Sequence, residues 1–324
     1  MSTIVVTGSA GFIGSHLVER LLADGHVVHG VDTFDDFYDP RIKRDNLAAA
    51  LEHDRFTLHE GDIRDEAAMR AVWAHGPFDS LVHLAARAGV RPSLENPRLY
   101  YDVNLNGTVN LLEICRENPD TTVVFASSSS VYGNQRKVPF SEDDPVDHPI
   151  SPYAASKKAG ELLCHAYHDL YKTHITCLRF FTVYGPRVRP DLAIGKFTRM
   201  IDHGETLPIF GDGTARRDFT YIDDIVAGVV AAIERPKGYA VYNLGESEPV
   251  VLSRLIELIA DAVGKQAVLE HLPQQPGDVD QTYADITRAR AELGYNPKTK
   301  IEDGIAKVVA WYRDTLREVR SERD

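Results

Sequence analysis

The chain has 324 residues, 43% hydrophobic and 26% charged, with a formal net charge of −12. Such a length holds about two domains, or one large α/β unit with an ample core. The acidic balance excludes a nucleic-acid or anionic-membrane surface as the main partner, so a phosphate-bearing ligand must be met by local arginines and helix ends.

In chain order, the first half alternates short apolar runs with helical patterns, the rhythm of a doubly wound parallel sheet with crossover helices. Thr3–Thr7 reads as strand one, and Phe12–Ala23 as a helix stopped by Asp24-Gly25. Val27–Val31 is strand two, Arg55–Glu60 strand three, Glu66–His75 a helix ended by Gly76, and Ser80–Ala85 strand four. Asn96 caps and Pro97 opens a long helix to about Cys115. Thr122–Ala126 is strand five, a helix carrying Tyr153 runs to about Tyr171, and His174–Phe180 is strand six. After Phe181 the rhythm changes: short strands such as Leu207–Phe210 and Ala240–Leu244 mix with helices and glycine- and proline-rich turns, as in a smaller α/β lobe. The start, Met1-Ser2-Thr3-Ile4-Val5-Val6-Thr7, has neither a basic n-region nor a long apolar run, so no signal peptide or membrane span is expected. Cys115, Cys164 and Cys177 lie in apolar patterns without C-x-x-C spacing and read as buried thiols of a reducing cytoplasm. His165 and His168 share a helix face but have no partner at ligand spacing, and no metal site is expected.

Gly8-Ser9-Ala10-Gly11-Phe12-Ile13-Gly14 lies between strand one and its helix. Glycines there allow a tight turn, close approach of a pyrophosphate and close helix–strand packing, with the helix N-terminus facing the phosphates. Asp32 closes strand two where an acid meets the adenosine ribose hydroxyls. Its charge repels a 2′-phosphate and favours NAD over NADP. Asp62 and Ile63 at the end of strand three, and Leu84, Ala85 and Ala86 at the end of strand four, are further cofactor contacts by position; the small residues could equally be packing.

Ser151-Pro152-Tyr153-Ala154-Ala155-Ser156-Lys157 carries the chemistry. Tyr153 and Lys157 are four residues apart on one helix face, and Ser151 as N-cap with Pro152 in first position puts Tyr153 in the first turn. A phenol has a reference pKa near 10; a neighbouring ammonium and the helix dipole both favour its anion. A drop of about three units corresponds to roughly 4 kcal/mol, enough to make a base for an alcohol.

Together these segments resemble the extended short-chain dehydrogenase/reductase family, and within it the nucleotide-sugar epimerases, over nearly the whole chain. Matching segments also include His83-Leu84-Ala85-Ala86, Asn104-Leu105-Asn106-Gly107-Thr108, Val131-Tyr132-Gly133 and Arg217-Asp218-Phe219-Thr220-Tyr221-Ile222-Asp223-Asp224. The resemblance implies a Rossmann-type domain over residues 1–180 and a UDP-sugar-binding lobe mainly over 181–324, with some segments returning to the first. It implies that Ser128 orients the substrate hydroxyl, that Tyr153 is the acid/base, and that Lys157 holds the nicotinamide ribose and depresses the tyrosine pKa. It adds Asn104, Phe180 and Val183 as contacts to a permanently held NAD, and a homodimer built on a four-helix bundle from the 97–115 and 153–171 helices.

Dehydratases of this family carry Asp-Glu where this chain has Ser129 and Ser130, and hydroxyls cannot perform that acid/base work at neutral pH. Thr182, and Arg189 seven residues on, resemble the UDP-glucuronate 4-epimerase pattern, in which these side chains meet the sugar carboxylate. Oxidation at C4 makes a ketone β to that carboxylate, so it must be held against loss of carbon dioxide. A forked arginine contact and exchangeable hydroxyls suit that task. Arg187-Val188 departs from the Trp-Gly or Arg-Gln of many relatives. A 4-epimerase of UDP-glucose or UDP-N-acetylglucosamine, a UDP-glucuronate decarboxylase and a non-catalytic NAD-binding protein are the alternatives. Arg217 matches the family's phosphate-binding arginine, its competing use being an ion pair with Asp218. Asp278 is expected at the nucleotide ribose and Lys196 beside the uridine, and Gln275 stands where galactose-type enzymes have an arginine. The acidic run Asp35, Asp36 and Asp39 reads equally well as a solvated loop.

Overall fold

A computed structural model describes residues 1–273 and 279–321, with side chains to residue 315. The strands are β1 (Thr3–Thr7), β2 (Val27–Asp32), β3 (Phe56–Glu60), β4 (Ser80–His83), β5 (Thr122–Ser128), β6 (Ile175–Phe180), β7 (Thr182–Tyr184), β8 (Thr206–Phe210), β9 (Arg216–Tyr221), β10 (Tyr239–Leu244), β11 (Pro249–Val251) and β12 (Val268–Leu272). Seven of them form one sheet in the order β10-β6-β5-β4-β1-β2-β3, every pairing parallel. Central parallel strands covered by helices are buried on both faces, which is why Ile4, Val6, Val82 and Leu178 pack into one apolar layer and Val5, Leu81 and Cys177 into the other. The chain runs outward through β2 and β3 and then returns to the other side of β1 at β4. The strand order therefore switches between β1 and β4, where an open α/β sheet leaves a crevice at its carboxyl ends.

Tyr239–Leu244 joins the large sheet rather than the lobe, pairing with β6 in parallel. Leu244 and Tyr242 are buried there, so the segment satisfies its backbone and its side chains together. The remaining strands make a three-stranded sheet, β11-β9-β7, and a parallel pair, β12-β8.

The helix expected from Pro97 is interrupted. It is α-helical over Pro97–Tyr101, widens to a π-turn over Asp102–Asn106, and resumes as Gly107–Glu117. The wide turn carries Asn104, which is buried and bridges two elements: its Oδ1 accepts from Arg87 N at 2.8 Å, and its Nδ2 donates to Arg87 O at 3.0 Å and Ser156 Oγ at 2.9 Å. Single π-turns inside helices often mark functional positions, because they re-aim one side chain without ending the helix.

The helix Pro152–Tyr171 is capped by Ser151, whose Oγ accepts from Ala154 N at 3.1 Å. A buried ion pair fixes it to the sheet. Arg179 on β6 donates to Glu161 through Nε at 2.8 Å and Nη2 at 2.9 Å, and through Nη1 to the Tyr132 hydroxyl at 2.9 Å. Ser127 Oγ donates to Glu161 Oε1 at 2.6 Å, and Tyr132 donates to Asn243 Oδ1 on β10 at 2.7 Å. Burial alone would raise the Glu161 pKa, but Arg179 and Ser127 hold it below the ordinary carboxylate range. Glu161→Gln leaves the Arg179 charge buried without its counterion and should destabilise the fold by about 3 kcal/mol. Denaturant unfolding should show a lower midpoint; an unchanged midpoint would mean the network does not secure the helix.

Candidate active site

A cavity of about 520 Å³ opens at the carboxyl edge of the sheet, where the ends of β1, β2, β4, β5 and β6 meet β7 and the 189–192 segment. Its first wall is the glycine turn. Gly8 has φ +73°, and a Cβ there would lie 2.8 Å from Ala85 N; a Cβ on Gly14 would lie 2.0 Å from Gly8 O. These two glycines let the turn, the helix Phe12–Ala23 and the end of β4 pack within backbone contact. Gly11, as N-cap, has no side chain to cover the first helical N–H groups. Gly8, Gly11, Phe12, Ile13, Gly14, Asp32, Asp62, Ile63, Leu84, Ala85, Ala86, Phe180 and Val183 all line this cavity. Asp32 accepts from Ala10 N at 3.0 Å and Phe34 N at 2.8 Å. Burial raises its pKa, and those two N–H groups and Lys43 oppose the rise. Each carboxylate oxygen keeps a lone pair for a hydroxyl. The cradle and the acid fit a dinucleotide carrying ribose hydroxyls.

Two of the expected contacts stand elsewhere. Asn104 does not line the cavity, because its amide is consumed in clamping Arg87 and Ser156. Lys196 is exposed on the helix Ala193–His203 and does not line the cavity either. Gln275 and Asp278 lie outside the described residues.

The reactive wall brings Ser128, Ser129, Ser130, Tyr153, Lys157, Thr182 and Arg189 together. Ser128 follows from β5, and Ser129–Tyr132 turns into a short 3₁₀ helix in which Ser128 Oγ accepts from Ser130 N at 3.2 Å and Ser130 Oγ at 2.9 Å. The Ser128 hydroxyl also hydrogen-bonds the Tyr153 phenol. Lys157 is buried and donates to Ala126 O at 2.8 Å, with its ammonium 5.3 Å from the Phe125 ring centre.

The electrostatics correct one expectation. Burial raises the Tyr153 pKa above its ordinary value; the opposing influences are the Ser128 hydroxyl and the charge of Arg189, not Lys157. The same burial pushes Lys157 down to about 8. Desolvation therefore outweighs the helix-face pairing read from Tyr153 and Lys157, and Arg189 is the cation that acts on the phenol.

Arg189 packs over Phe37, its guanidinium carbon 5.2 Å from the ring centre, and pairs with Asp191. Arg217 also lines the cavity and donates from Nη1 to Arg216 O at 2.9 Å. Asp218 spends its carboxylate on the backbone N–H groups of Glu246, Ser247 and Ala284.

Other residues line the cavity without having been assigned to it from the sequence: Asp35, read as part of an acidic loop, with Phe37, Tyr38, Lys43 and Arg87. Asp35 is no solvated loop acid, since Arg87 pairs with it and Lys43 donates to its carbonyl at 2.7 Å. Asp39 caps the helix Pro40–Asn46. The available signal was Arg87 directly after the small-residue run of β4. Among the described residues no group of three or more His, Cys, Asp or Glu could hold a metal ion.

Comparison with known proteins places this geometry. Residues 5–308 match the family model described as GDP-mannose 4,6 dehydratase. The UDP-glucuronate 4-epimerase of Thermodesulfobacterium geofontis is 42% identical over 322 residues, covering 99% of this chain and 99% of that protein. The crystal structure of UDP-glucuronic acid 4-epimerase from Bacillus cereus, in complex with UDP-glucuronic acid and NAD, superposes with a TM-score of 0.90 at 37% identity, covering 97% of this chain and 99% of that one. The UDP-glucose 4-epimerase of Thermotoga maritima, bound to UDP-glucose, superposes with a TM-score of 0.88 at 32% identity, covering 97% and 99%.

Removing the cation beside Tyr153 should move its titration. Arg189→Gln withdraws positive charge and disfavours the phenolate, so the ascending, low-pH limb of the pH–rate profile should shift to higher pH. Activity lost at pH 7 should be partly recovered at higher pH. A limb that stays in place would remove Arg189 from the electrostatics of the phenol.

Proposed function

The chain belongs to the extended short-chain dehydrogenase/reductase family, and we propose that it is an NAD-dependent isomerase interconverting UDP-glucuronate and UDP-galacturonate by epimerisation at C4. The observation that carries this reading is the single wall holding Ser128, Tyr153 and Lys157 beside Ser129, Ser130, Thr182 and Arg189. The relatives named for UDP-glucuronate 4-epimerisation support it over the full chain length.

Bound NAD would supply the hydride acceptor and donor for C4. It would be held by the glycine turn, Asp32 at the adenosine ribose, Asp62 and Ile63, and the small residues ending β4, with Phe180 and Val183 behind the nicotinamide. Tyr153 takes the proton of the 4-hydroxyl through its phenolic oxygen, and Ser128 fixes that hydroxyl by hydrogen bonding. Lys157 lies against the β5 end, where it can hold the nicotinamide ribose. The 4-keto sugar then turns, and Tyr153 gives the proton back as the opposite face is reduced. Ser129, Ser130 and Thr182 can donate or accept as the carboxylate moves, while Arg189 holds it against decarboxylation. Ser129 and Ser130, in the places of a dehydratase's Asp-Glu pair, cannot supply the acid and base that expel a hydroxyl at neutral pH. Arg217 faces the diphosphate. The reducing cytoplasm is the compartment we assign, supported by three buried free thiols; no described helix is long and apolar enough to cross a membrane.

Purified protein incubated with UDP-glucuronate and no added NAD should form UDP-galacturonate, resolved by chromatography of the nucleotide sugars. UDP-galactose from UDP-glucose without any UDP-galacturonate would overturn the sugar, and a UDP-pentose with released carbon dioxide would make the protein a decarboxylase.

We also assign a homodimer formed by the helices Pro97–Tyr101, Gly107–Glu117 and Pro152–Tyr171. Its support is the exposed apolar set Tyr101, Leu162, Leu170 and Tyr171 on these helices, with Leu94 just before them. The dimer should run at twice the chain mass in sedimentation, and Leu162→Glu with Leu170→Glu should bring it to monomer mass. A wild-type monomer across the concentration range would refute it.

A further inference from the structure

The guanidinium of Arg189 is held from behind. Its Nε donates to Asp191 Oδ1 at 2.9 Å and its Nη2 to Asp191 Oδ2 at 2.7 Å, a forked contact on the Nε side. One face stacks on Phe37 at 5.2 Å. The Arg189 side chain is 16% exposed while that of Asp191 is 41% exposed, and Arg189 lines the cavity whereas Asp191 does not. Asp191 therefore grips from outside the wall.

A guanidinium has five N–H bonds, and Asp191 takes one on Nε and one on Nη2. Three remain, two on Nη1 and one on Nη2, and the Nη2 N–H with one of the Nη1 pair forms the other fork of the same plane. That fork matches a second carboxylate. The Asp191 fork restrains the guanidinium within its plane and the Phe37 ring packs against it, so the free fork is held in direction.

We infer that Asp191 is a positioning residue for substrate choice: by occupying the Nε side of Arg189 it presents the Nη1–Nη2 side to the C6 carboxylate of a uronic-acid substrate. This inference rests on the proposed UDP-glucuronate activity. It also explains a charge problem. A lone arginine would attract any anion, whereas the Arg189–Asp191 pair is neutral overall and recognises a carboxylate by two aligned hydrogen bonds. Selectivity then comes from geometry, and the sugar carboxylate is not bound so tightly that the ketosugar cannot turn.

A loop staple between residues two apart makes a different prediction, because it would affect every ligand alike. The test compares equilibrium binding of UDP-glucuronate, UDP-glucose and UDP to the NAD-loaded wild type, Asp191→Ala and Asp191→Asn. Asp191→Ala should lower the preference for UDP-glucuronate over UDP-glucose about tenfold, through UDP-glucuronate alone, with UDP binding unchanged within about twofold. Asp191→Asn keeps an acceptor for Nε and should retain most of the preference. Turnover of UDP-glucuronate by Asp191→Ala should release a larger share of UDP-pentose, since the carboxylate is less restrained. If the wild type prefers UDP-glucuronate and Asp191→Ala keeps that preference, or loses all three ligands together, Asp191 has no positioning role. A wild type without the preference overturns both the substrate and this inference.

Discussion

The site depends on one buried ion pair. Glu161 and Arg179 are each about as buried as a core leucine, at 1% and 3% side-chain exposure. Two charges removed from water cost several kcal/mol each, and only full hydrogen bonding offsets that cost. Here Ser127, Tyr132 and Asn243 complete the network. Ser127, Tyr132 and Glu161 belong to elements that carry the site, and Asn243 ties them to β10. Ser127 precedes Ser128 on β5, Tyr132 closes the 3₁₀ turn of Ser129 and Ser130, and Glu161 lies one turn beyond Lys157 on the Tyr153 helix. Pairing β5 with β6 aligns Ser128 with Phe180, two residues before Thr182. An apolar core could hold these elements together as firmly, but directional bonds hold them in one register.

The second organising constraint is how an acidic protein keeps cations at an anion-binding cavity. Three of them have local partners: Arg87 pairs with Asp35, Lys43 bonds the Asp35 carbonyl, and Arg189 pairs with Asp191. Such pairing reduces the field while leaving aimed N–H groups. Burial then strengthens what remains, since fewer waters screen it. The same burial works against Tyr153, whose phenol is raised while the charge of Arg189 opposes the rise. On the proposed reading, one arginine would serve both the sugar carboxylate and the proton transfer.

Much of the architecture was legible because the signals were local. Period-2 and period-3.6 apolar patterns marked β1 to β6 and their helices within a few residues, and the spacing of Gly8, Gly11 and Gly14 marked a tight turn closely packed against its helix. The Ser151–Pro152 cap and the Tyr153–Lys157 spacing placed the reactive helix. What could not be read depends on long-range placement. Tyr239–Leu244 carries an ordinary strand pattern, and only the packing of the sheet decides that it pairs with β6. Asn104 looked like a ligand contact until a π-turn directed its amide to Arg87. Lys196 had a plausible position in the chain but sits on the exposed side of its helix. The order of influences on Tyr153 needed burial, which no spacing in the sequence reports.

In the proposed reaction a hydride leaves C4 of the sugar and returns to the same carbon from the other side. UDP-glucuronate carrying deuterium at C4, incubated in ordinary water with the protein as purified, tests it by mass and nuclear magnetic resonance analysis of the product. The expected product is UDP-galacturonate that keeps the deuterium at C4 in full. Loss of that label to solvent, or a product deuterated elsewhere, would contradict it.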